Sequence, residues 1–184
     1  MNQTIRIIGG KYRGKKLHFP SSEGLRPTPD RVRETVFNWL MHDIRDVRCL
    51  DAFAGSGALG FEAHSRGAAY VLMLEQDSNV YSNLAKTALS FNSTDVVVKK
   101  IDACKFLQES NESFDLVFLD PPFAKDYLPG CIERLSNSTL LKAGGLLYIE
   151  SPQEVEMDFA IWQQIKLKHA GQITYGLYKK IKEG

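Results

Sequence analysis

Residues 50–60 read Leu-Asp-Ala-Phe-Ala-Gly-Ser-Gly-Ala-Leu-Gly, and this stretch decides the class of fold. The stretch begins inside an apolar run, Arg48–Phe53, that is typical of a buried strand. It then continues into a helical pattern. Gly55, Gly57 and Gly60 fit the spacing G-x-G-x-x-G, in which glycines allow a tight turn and a close approach of the backbone to a ligand. A strand, a glycine loop and a helix in this order predict the first unit of a parallel sheet with a ligand at its edge.

Strand and helix patterns alternate through the chain beyond this loop. The further predicted strands are Tyr70–Glu75, Asp95–Ile101, Phe114–Asp120 and Gly145–Glu150. The predicted helices are Ala58–Arg66, Asn79–Ser90, Ala103–Glu109 and Leu128–Ser136. Repetition of strand and helix predicts an α/β fold whose parallel sheet is covered on both faces. Trp162–His169 and Gln172–Lys180, around a turn at Ala170 and Gly171, predict an antiparallel C-terminal hairpin that completes seven strands.

The N-terminal part of the chain has a different pattern. Ile5–Gly10 and Lys15–Phe19 predict a small β-hairpin. A helix is predicted to begin at Thr28-Pro29-Asp30, with Thr28 as its cap, and to end near Asp43. We therefore divide the chain into an extension, residues 1–27, and a main domain, residues 28–184.

The charge of the chain is unevenly distributed. Residues 1–33 contain eight basic and two acidic residues, a net charge of +6, although the whole chain carries only +1. A basic arm on a mildly acidic body favours a nucleic-acid backbone as partner. The alternative is that these charges only make the terminus soluble in water, which would leave the same net charge.

Composition limits the class of protein further. The chain has 184 residues, 43% of them hydrophobic, which suits one globular domain. Its apolar runs are far shorter than the roughly 20 residues of a membrane span, and its start does not resemble a secretory signal. Three scattered cysteines and four histidines lack metal-like spacing, so we expect no metal and a cytoplasmic location. We also expect a monomer.

Three successive predicted strands end in an acidic residue: Asp51, Glu75 and Asp102. Glu75 lies 20 residues after Gly55, as a ribose-binding acid does in nicotinamide-dependent oxidoreductases, so that class stays open. Asp51 opposes it, because a carboxylate near a pyrophosphate is unfavourable, whereas a cationic sulfonium with an α-ammonium group is well suited. Acids that only cap helices are the structural alternative.

The fourth strand runs into Asp120-Pro121-Pro122-Phe123. Two prolines stiffen the chain and lack N–H groups, which leaves the Asp120 carboxylate and the Pro121 carbonyl as rigid acceptors. Two acceptors suit a planar exocyclic amine, and Phe123 offers a face on which a base can stack. Asp120 is also a candidate general base. A proline turn with a buried Phe123 is the structural alternative.

These residues together resemble the RsmD family of 16S rRNA guanine-N2 methyltransferases, which have a Rossmann-like class I methyltransferase fold. The motif Asp120-Pro121-Pro122-Phe123, which we call the amine motif, is shared with methyltransferases of adenine in DNA and of glutamine in proteins. The segments that carry the closer resemblance are Arg6–Gly14, Leu25–Thr28, Arg33-Glu34, Phe37–Leu40, Phe53–Gly60 and Tyr148–Ser151.

The resemblance implies S-adenosylmethionine as cofactor, S-adenosylhomocysteine as product, and a guanine of 16S rRNA, in the small subunit or its precursor, as substrate. The implied cofactor-binding residues are Thr28, Arg33, Asp51, Phe53, Gly55, Ser56, Gly57, Glu75, Gln76, Asp102 and Ala103. The implied catalytic residues are Asp120, Pro121, Pro122 and Phe123. The expected RNA contacts are Arg6, Lys11, Tyr12, Arg13, Lys15, Lys16 and Arg26, with Tyr12 available for stacking. Transfer to adenine N6, a nicotinamide oxidoreductase and an inactive RNA-binding module remain the alternatives.

Overall fold

The computed structural model describes residues 2–21 and 27–182, and a twisted sheet with helices on both faces forms its centre. The strands are β1 (Asn2–Arg6), β2 (Lys16–Pro20), β3 (Arg48–Asp51), β4 (Tyr70–Glu75), β5 (Val96–Lys100), β6 (Phe114–Leu119), β7 (Leu141–Ser151), β8 (Trp162–Ala170) and β9 (Ile173–Lys180). The helices are α1 (Asp30–Trp39), α2 (Ala58–Ser65), α3 (Ser78–Leu89), α4 (Ala103–Glu109) and α5 (Leu128–Ser136).

The central sheet has seven strands in the order β5-β4-β3-β6-β7-β9-β8. Strands β3 to β7 are parallel, and β8 and β9 add an antiparallel hairpin at one edge. The predicted fold class is therefore confirmed, and the ends of most elements agree with the prediction within one or two residues. The strand order reverses at β3, between β4 and β6, which is where open α/β sheets bind ligands at their carboxyl edge.

Helix α1 differs from the prediction at both ends. Its N-cap position is Pro29, with no side-chain cap, so the prediction that Thr28 caps it is wrong. The Thr28 hydroxyl instead donates to Oδ2 of Asp120, 3.2 Å away. The helix ends at Trp39, and the residues predicted to continue it form turns.

Strands β1 and β2 form the N-terminal hairpin, in which Asn2 pairs with Pro20 and Arg6 with Lys16. The prediction of a strand over Ile5–Gly10 is wrong in its second half. Gly10 takes a left-handed conformation, φ 77°, which turns the chain so that the Lys11 N–H reaches the carbonyl of Ser65. The hairpin buries Ile7 and Leu17 in the same hydrophobic cluster as α2 and α3 residues.

Glu62 of α2 joins the hairpin to two helices. Its carboxylate accepts the N–H groups of Ile8 and Gly9, each at 2.9 Å, and it pairs with Arg33 of α1 and with Arg66, which directly follows α2. Glu62 and Arg33 are fully buried, so the ion pair and the hydrogen bonds together compensate the burial of these charges. Within the described residues, none of the helices is long and apolar enough to cross a membrane.

Candidate methyl-donor and amine site

The carboxyl edge of the sheet holds a cavity of about 960 Å³. Its walls come from the loops that follow β3 to β6, from the end of β7, from residues 27–29 before α1, and from the β8–β9 turn. The sequence-predicted site residues that line it are Thr28, Asp51, Phe53, Gly55, Ser56, Glu75, Gln76, Asp102, Ala103, Asp120, Pro121, Pro122 and Phe123. The fold thus brings together residues as far apart in the chain as Thr28 and Phe123.

Two residues predicted to bind the cofactor do not line the cavity. Arg33 is fully buried in the Glu62 network, where it also donates to the carbonyl of Arg6. Gly57 occupies the N-cap position of α2 with φ 78°, and a Cβ there would lie 2.3 Å from the ring of Phe61.

Asp51, the last residue of β3, is 1% exposed. Its Oδ2 accepts the N–H of Gly60 at 3.0 Å, whereas its buried Oδ1 has no hydrogen-bond partner among the described residues. Burial raises the pKa of Asp51 to about 7, and the N–H of Gly60 only partly offsets that effect. A buried carboxylate on the cavity wall, one oxygen of which has no donor among the described residues, fits a ligand that carries an ammonium group.

Glu75, the last residue of β4, holds the glycine loop. Its Oε2 accepts the N–H of Gly55 at 3.3 Å, and its Oε1 accepts the N–H of Asp77 at 2.8 Å. Burial raises the pKa of Glu75, and these two N–H groups lower it. Asp102 both lines the cavity and caps α4, because its side chain accepts the N–H of Lys105. Asp102 thus caps a helix, as the structural alternative expects, and its ligand-binding role stays a prediction.

Asp120 directly follows β6, is half-buried, and lines the same cavity as a buried acid, Glu150 of β7. Burial raises the pKa of Asp120 well above its usual value, and the charges of Glu150 and Asp51 raise it further. The hydroxyl of Thr28 opposes this shift by donating to Asp120. Residues 27–29 therefore form a wall of the cavity that is connected to the Asp120–Phe123 motif by the hydrogen bond from Thr28 to Asp120.

Pro121 is buried and Phe123 is 48% exposed. An aromatic ring that is half exposed at the rim of a cavity is available for stacking, so the alternative of a core Phe123 is wrong. The motif thus combines a fixed turn with an open aromatic face.

The cavity wall is strongly acidic. The described lining contains no lysine, arginine or histidine. The six acidic residues that line the cavity are Asp51, Glu75, Asp77, Asp102, Asp120 and Glu150. A dianionic pyrophosphate would meet only like charge here, whereas a cationic ligand is favoured. This distribution opposes the nicotinamide oxidoreductase alternative.

Sequence reasoning missed Glu150 and the β8–β9 turn. Glu150 ends a buried strand pattern in the same way as Asp51, Glu75 and Asp120, so the same signal was present in the sequence. The turn residues Gly171 and Gln172 line the cavity because the antiparallel hairpin points its tip at the carboxyl edge. Periodicity alone does not reveal that placement.

The described residues among the predicted RNA contacts lie on the N-terminal hairpin and do not line the cavity. The turn of the hairpin rests on Ser65 and Ser90, at the C-terminal ends of α2 and α3. Since these helices begin at the carboxyl edge of the sheet, their ends lie about 12–18 Å from it. Arg26 lies outside the described residues.

Two of these side chains are engaged within the protein. The Tyr12 ring stacks on His64 at 5.4 Å and packs edge-on against Phe91, so its availability for a base is not seen. The Lys15 ammonium donates to the carbonyl of Ser90 and lies 4.4 Å from the centre of the Phe91 ring. Arg6, Lys11, Arg13 and Lys16 are exposed.

Comparison with known proteins places these features in one family. Residues 5–179 match the family model described as "Conserved hypothetical protein 95". Ribosomal RNA small subunit methyltransferase D of Escherichia coli (strain K12) is 44% identical over 182 residues, which cover 98% of this chain and 92% of that protein. The Haemophilus influenzae protein of the same name is 43% identical over 180 residues, covering 95% and 93%.

Solved structures agree. A structure described as putative methyltransferase yhhF from Escherichia coli superimposes with a TM-score of 0.91 at 43% identity, covering 98% of this chain and all of that one. RsmC, a T. thermophilus 16S rRNA N2 methyltransferase solved with AdoMet and guanosine, shares the fold with a TM-score of 0.72 at 20% identity. That match covers 99% of this chain and 50% of RsmC.

The fold and the site define a class I methyltransferase. The similarity extends over almost the whole chain and includes the N-terminal hairpin. The chain belongs to the RsmD family.

Proposed function

We propose that this protein transfers a methyl group from S-adenosylmethionine to the exocyclic N2 of a guanine in 16S rRNA, within the small subunit or its precursor. The observation that carries the proposal is the joining of the acidic cavity to Asp120-Pro121-Pro122-Phe123 at one sheet edge. The names of the relatives, ribosomal RNA small subunit methyltransferase D, support rRNA as the substrate.

The residues of the cavity fit the cofactor. Asp51 would accept from its ammonium through the oxygen that lacks a donor, and Glu75 and Asp102 would hold the ribose and the adenine. When bound, S-adenosylmethionine supplies an electrophilic methyl group on a sulfonium. Six carboxylates around one cavity favour that positive charge.

The chain's own residues prepare the amine. Asp120 and the Pro121 carbonyl would accept the two N–H groups of the exocyclic nitrogen and fix its direction. Phe123 would stack on the base. Asp120 has a raised pKa and is therefore suited to hold the proton that the amine loses. Thr28 steadies Asp120 from the opposite wall.

The N-terminal hairpin, in residues 1–27, serves in this proposal as an RNA-contacting extension of the domain 28–184. The turn of the hairpin rests on the C-terminal ends of α2 and α3, which lie roughly 12–18 Å from the carboxyl edge of the sheet. The hairpin's exposed basic side chains would therefore contact phosphates of an RNA segment beyond the target nucleotide, as a large folded substrate allows.

The test uses labelled S-adenosylmethionine with small-subunit particles from unmodified cells, naked rRNA, DNA or protein extract. Label on guanine N2 of 16S rRNA is expected; label only in DNA, in protein or on adenine would refute the proposal. Asp120→Ala is expected to abolish transfer with cofactor binding retained. Asp126→Ala, at an exposed residue outside the cavity lining, is the matched control and should keep full activity.

A further inference from the structure

Glu150 is a buried acid of the cavity that the proposed mechanism leaves unused. It lies near the end of β7, is 5% exposed, and lines the cavity beside Asp120. The two carboxylates are near enough that the charge of Glu150 raises the pKa of Asp120. A buried acid costs free energy in the empty protein, so a ligand that donates to it would recover that cost.

Tyr148 fixes the direction of this carboxylate. Its hydroxyl donates to Glu150 Oε2 at 3.1 Å, and the two side chains point to the same face because they are two residues apart on a strand. Tyr148 is itself fully buried. A carboxylate has about four acceptor positions, so this bond leaves others for a ligand.

The edge of guanine that carries N2 also carries a second type of donor. Its N1–H lies next to the exocyclic amine, so that edge presents three N–H bonds in a row. Asp120 and the Pro121 carbonyl account for the two on N2, and the N1–H then needs an acceptor adjacent to Asp120. Adenine presents a lone pair at N1, which a carboxylate would repel. The position of Glu150 beside Asp120 matches the guanine pattern.

We propose that the Glu150 carboxylate accepts a hydrogen bond from N1–H of the target guanine and thereby selects guanine over adenine. Tyr148 is a positioning residue that holds Glu150 for this contact. The inference rests on the proposed function, since it concerns the base whose N2 amine receives the methyl group. A base contact of this kind is worth about 1–3 kcal/mol of discrimination, or roughly 5- to 150-fold in kcat/KM.

The probe is 2-aminopurine, which keeps the 2-amino group of guanine but has a lone pair at N1 and lacks O6. Small-subunit particles are reconstituted with 16S rRNA that carries guanine or 2-aminopurine at the labelled position. We expect the wild-type protein to prefer guanine by roughly 10- to 100-fold in kcat/KM. In Glu150→Gln the amide can donate to N1 of 2-aminopurine, so the preference should fall at least 5-fold. Loss of O6 affects both proteins equally.

The controls separate the possible failures. Glu156→Gln alters an exposed acid outside the cavity lining and should keep the wild-type preference. Glu150→Gln should fold, because it removes a like charge near Asp120, and should bind S-adenosylmethionine as the wild type does. An unchanged preference in Glu150→Gln overturns the role of Glu150 alone. Absence of guanine methylation by the wild type overturns the proposed function.

Tyr148→Phe gives a second test that leaves both acids in place. Loss of the hydroxyl should reduce the guanine preference by about 2- to 5-fold, with cofactor affinity unchanged. If Glu150→Gln does not fold, a wild-type preference in Tyr148→Phe overturns the inference.

Discussion

Replacement of Asp51 by asparagine separates the structural from the proposed cofactor-binding role of this carboxylate, whose Oδ1 has no hydrogen-bond donor among the described residues. Asparagine keeps the shape and can still accept the N–H of Gly60, but it removes the charge. If Asp51 binds an ammonium group, the variant should bind S-adenosylmethionine about 10- to 100-fold more weakly, because a hydrogen bond between charged groups is lost. The same change should stabilise the free protein.

The expected stability gain follows from the pKa. Folding raises the pKa of Asp51 from 3.8 to about 7, so the charged form disfavours the folded state at high pH. This cost amounts to about 4 kcal/mol at pH 8 and declines to about 2 kcal/mol at pH 5, as the carboxyl group takes up a proton in the folded protein. Asp51→Asn should therefore raise the free energy of unfolding more at pH 8 than at pH 5.

The affinity for the cofactor should increase as the pH rises, whereas the contribution of Asp51 to stability becomes less favourable. Only ionised Asp51 attracts the ammonium group, so the wild-type Kd should fall about 8-fold between pH 6 and pH 7.5 for a group whose pKa is about 7. Calorimetric titration at both pH values, combined with urea unfolding, measures both quantities. Glu75 and Asp120 also have raised pKa values, and they titrate in both proteins. A pH dependence that persists unchanged in Asp51→Asn would refute the reasoning.

Three further changes test other contacts. Glu62→Ala leaves two arginines without their buried partner and should cost about 3–5 kcal/mol in urea unfolding; a loss below 1 kcal/mol would contradict the role of this network. Gly60→Ala puts a Cβ 2.7 Å from Met73 Sδ and should destabilise by about 1–3 kcal/mol, with a lower melting temperature as the readout. Arg13→Ala should reduce the salt dependence of RNA binding by about one phosphate contact, and Lys142→Ala, away from the hairpin, should leave it unchanged.

The parallel sheet was predictable because the local sequence pattern of each strand and helix indicates its type. Long apolar runs, glycine at the loop and proline in the first turn of α5 mark the boundaries without reference to distant residues. The three strand-end acids were also found in this way, because the carboxyl ends of parallel strands meet at one edge.

Features that depend on distant contacts were not predictable. Thr28 looks like a helix cap in sequence, yet Asp120 competes for its hydroxyl across 92 positions of the chain. Arg33 looks like a ligand contact, but Glu62 draws it into the interior. Tyr12 looks free to stack on a base, whereas its ring already stacks on His64 and packs at a steep angle against Phe91.

The Glu62 network has a consequence for biosynthesis. Ile8 and Gly9 leave the ribosome more than fifty residues before the carboxylate that holds them. At translation rates of about 5–20 residues per second the hairpin therefore waits for roughly 3–11 s. A two-stranded hairpin is at best marginally stable alone, so its basic strands remain open to other chains or to chaperones during that interval.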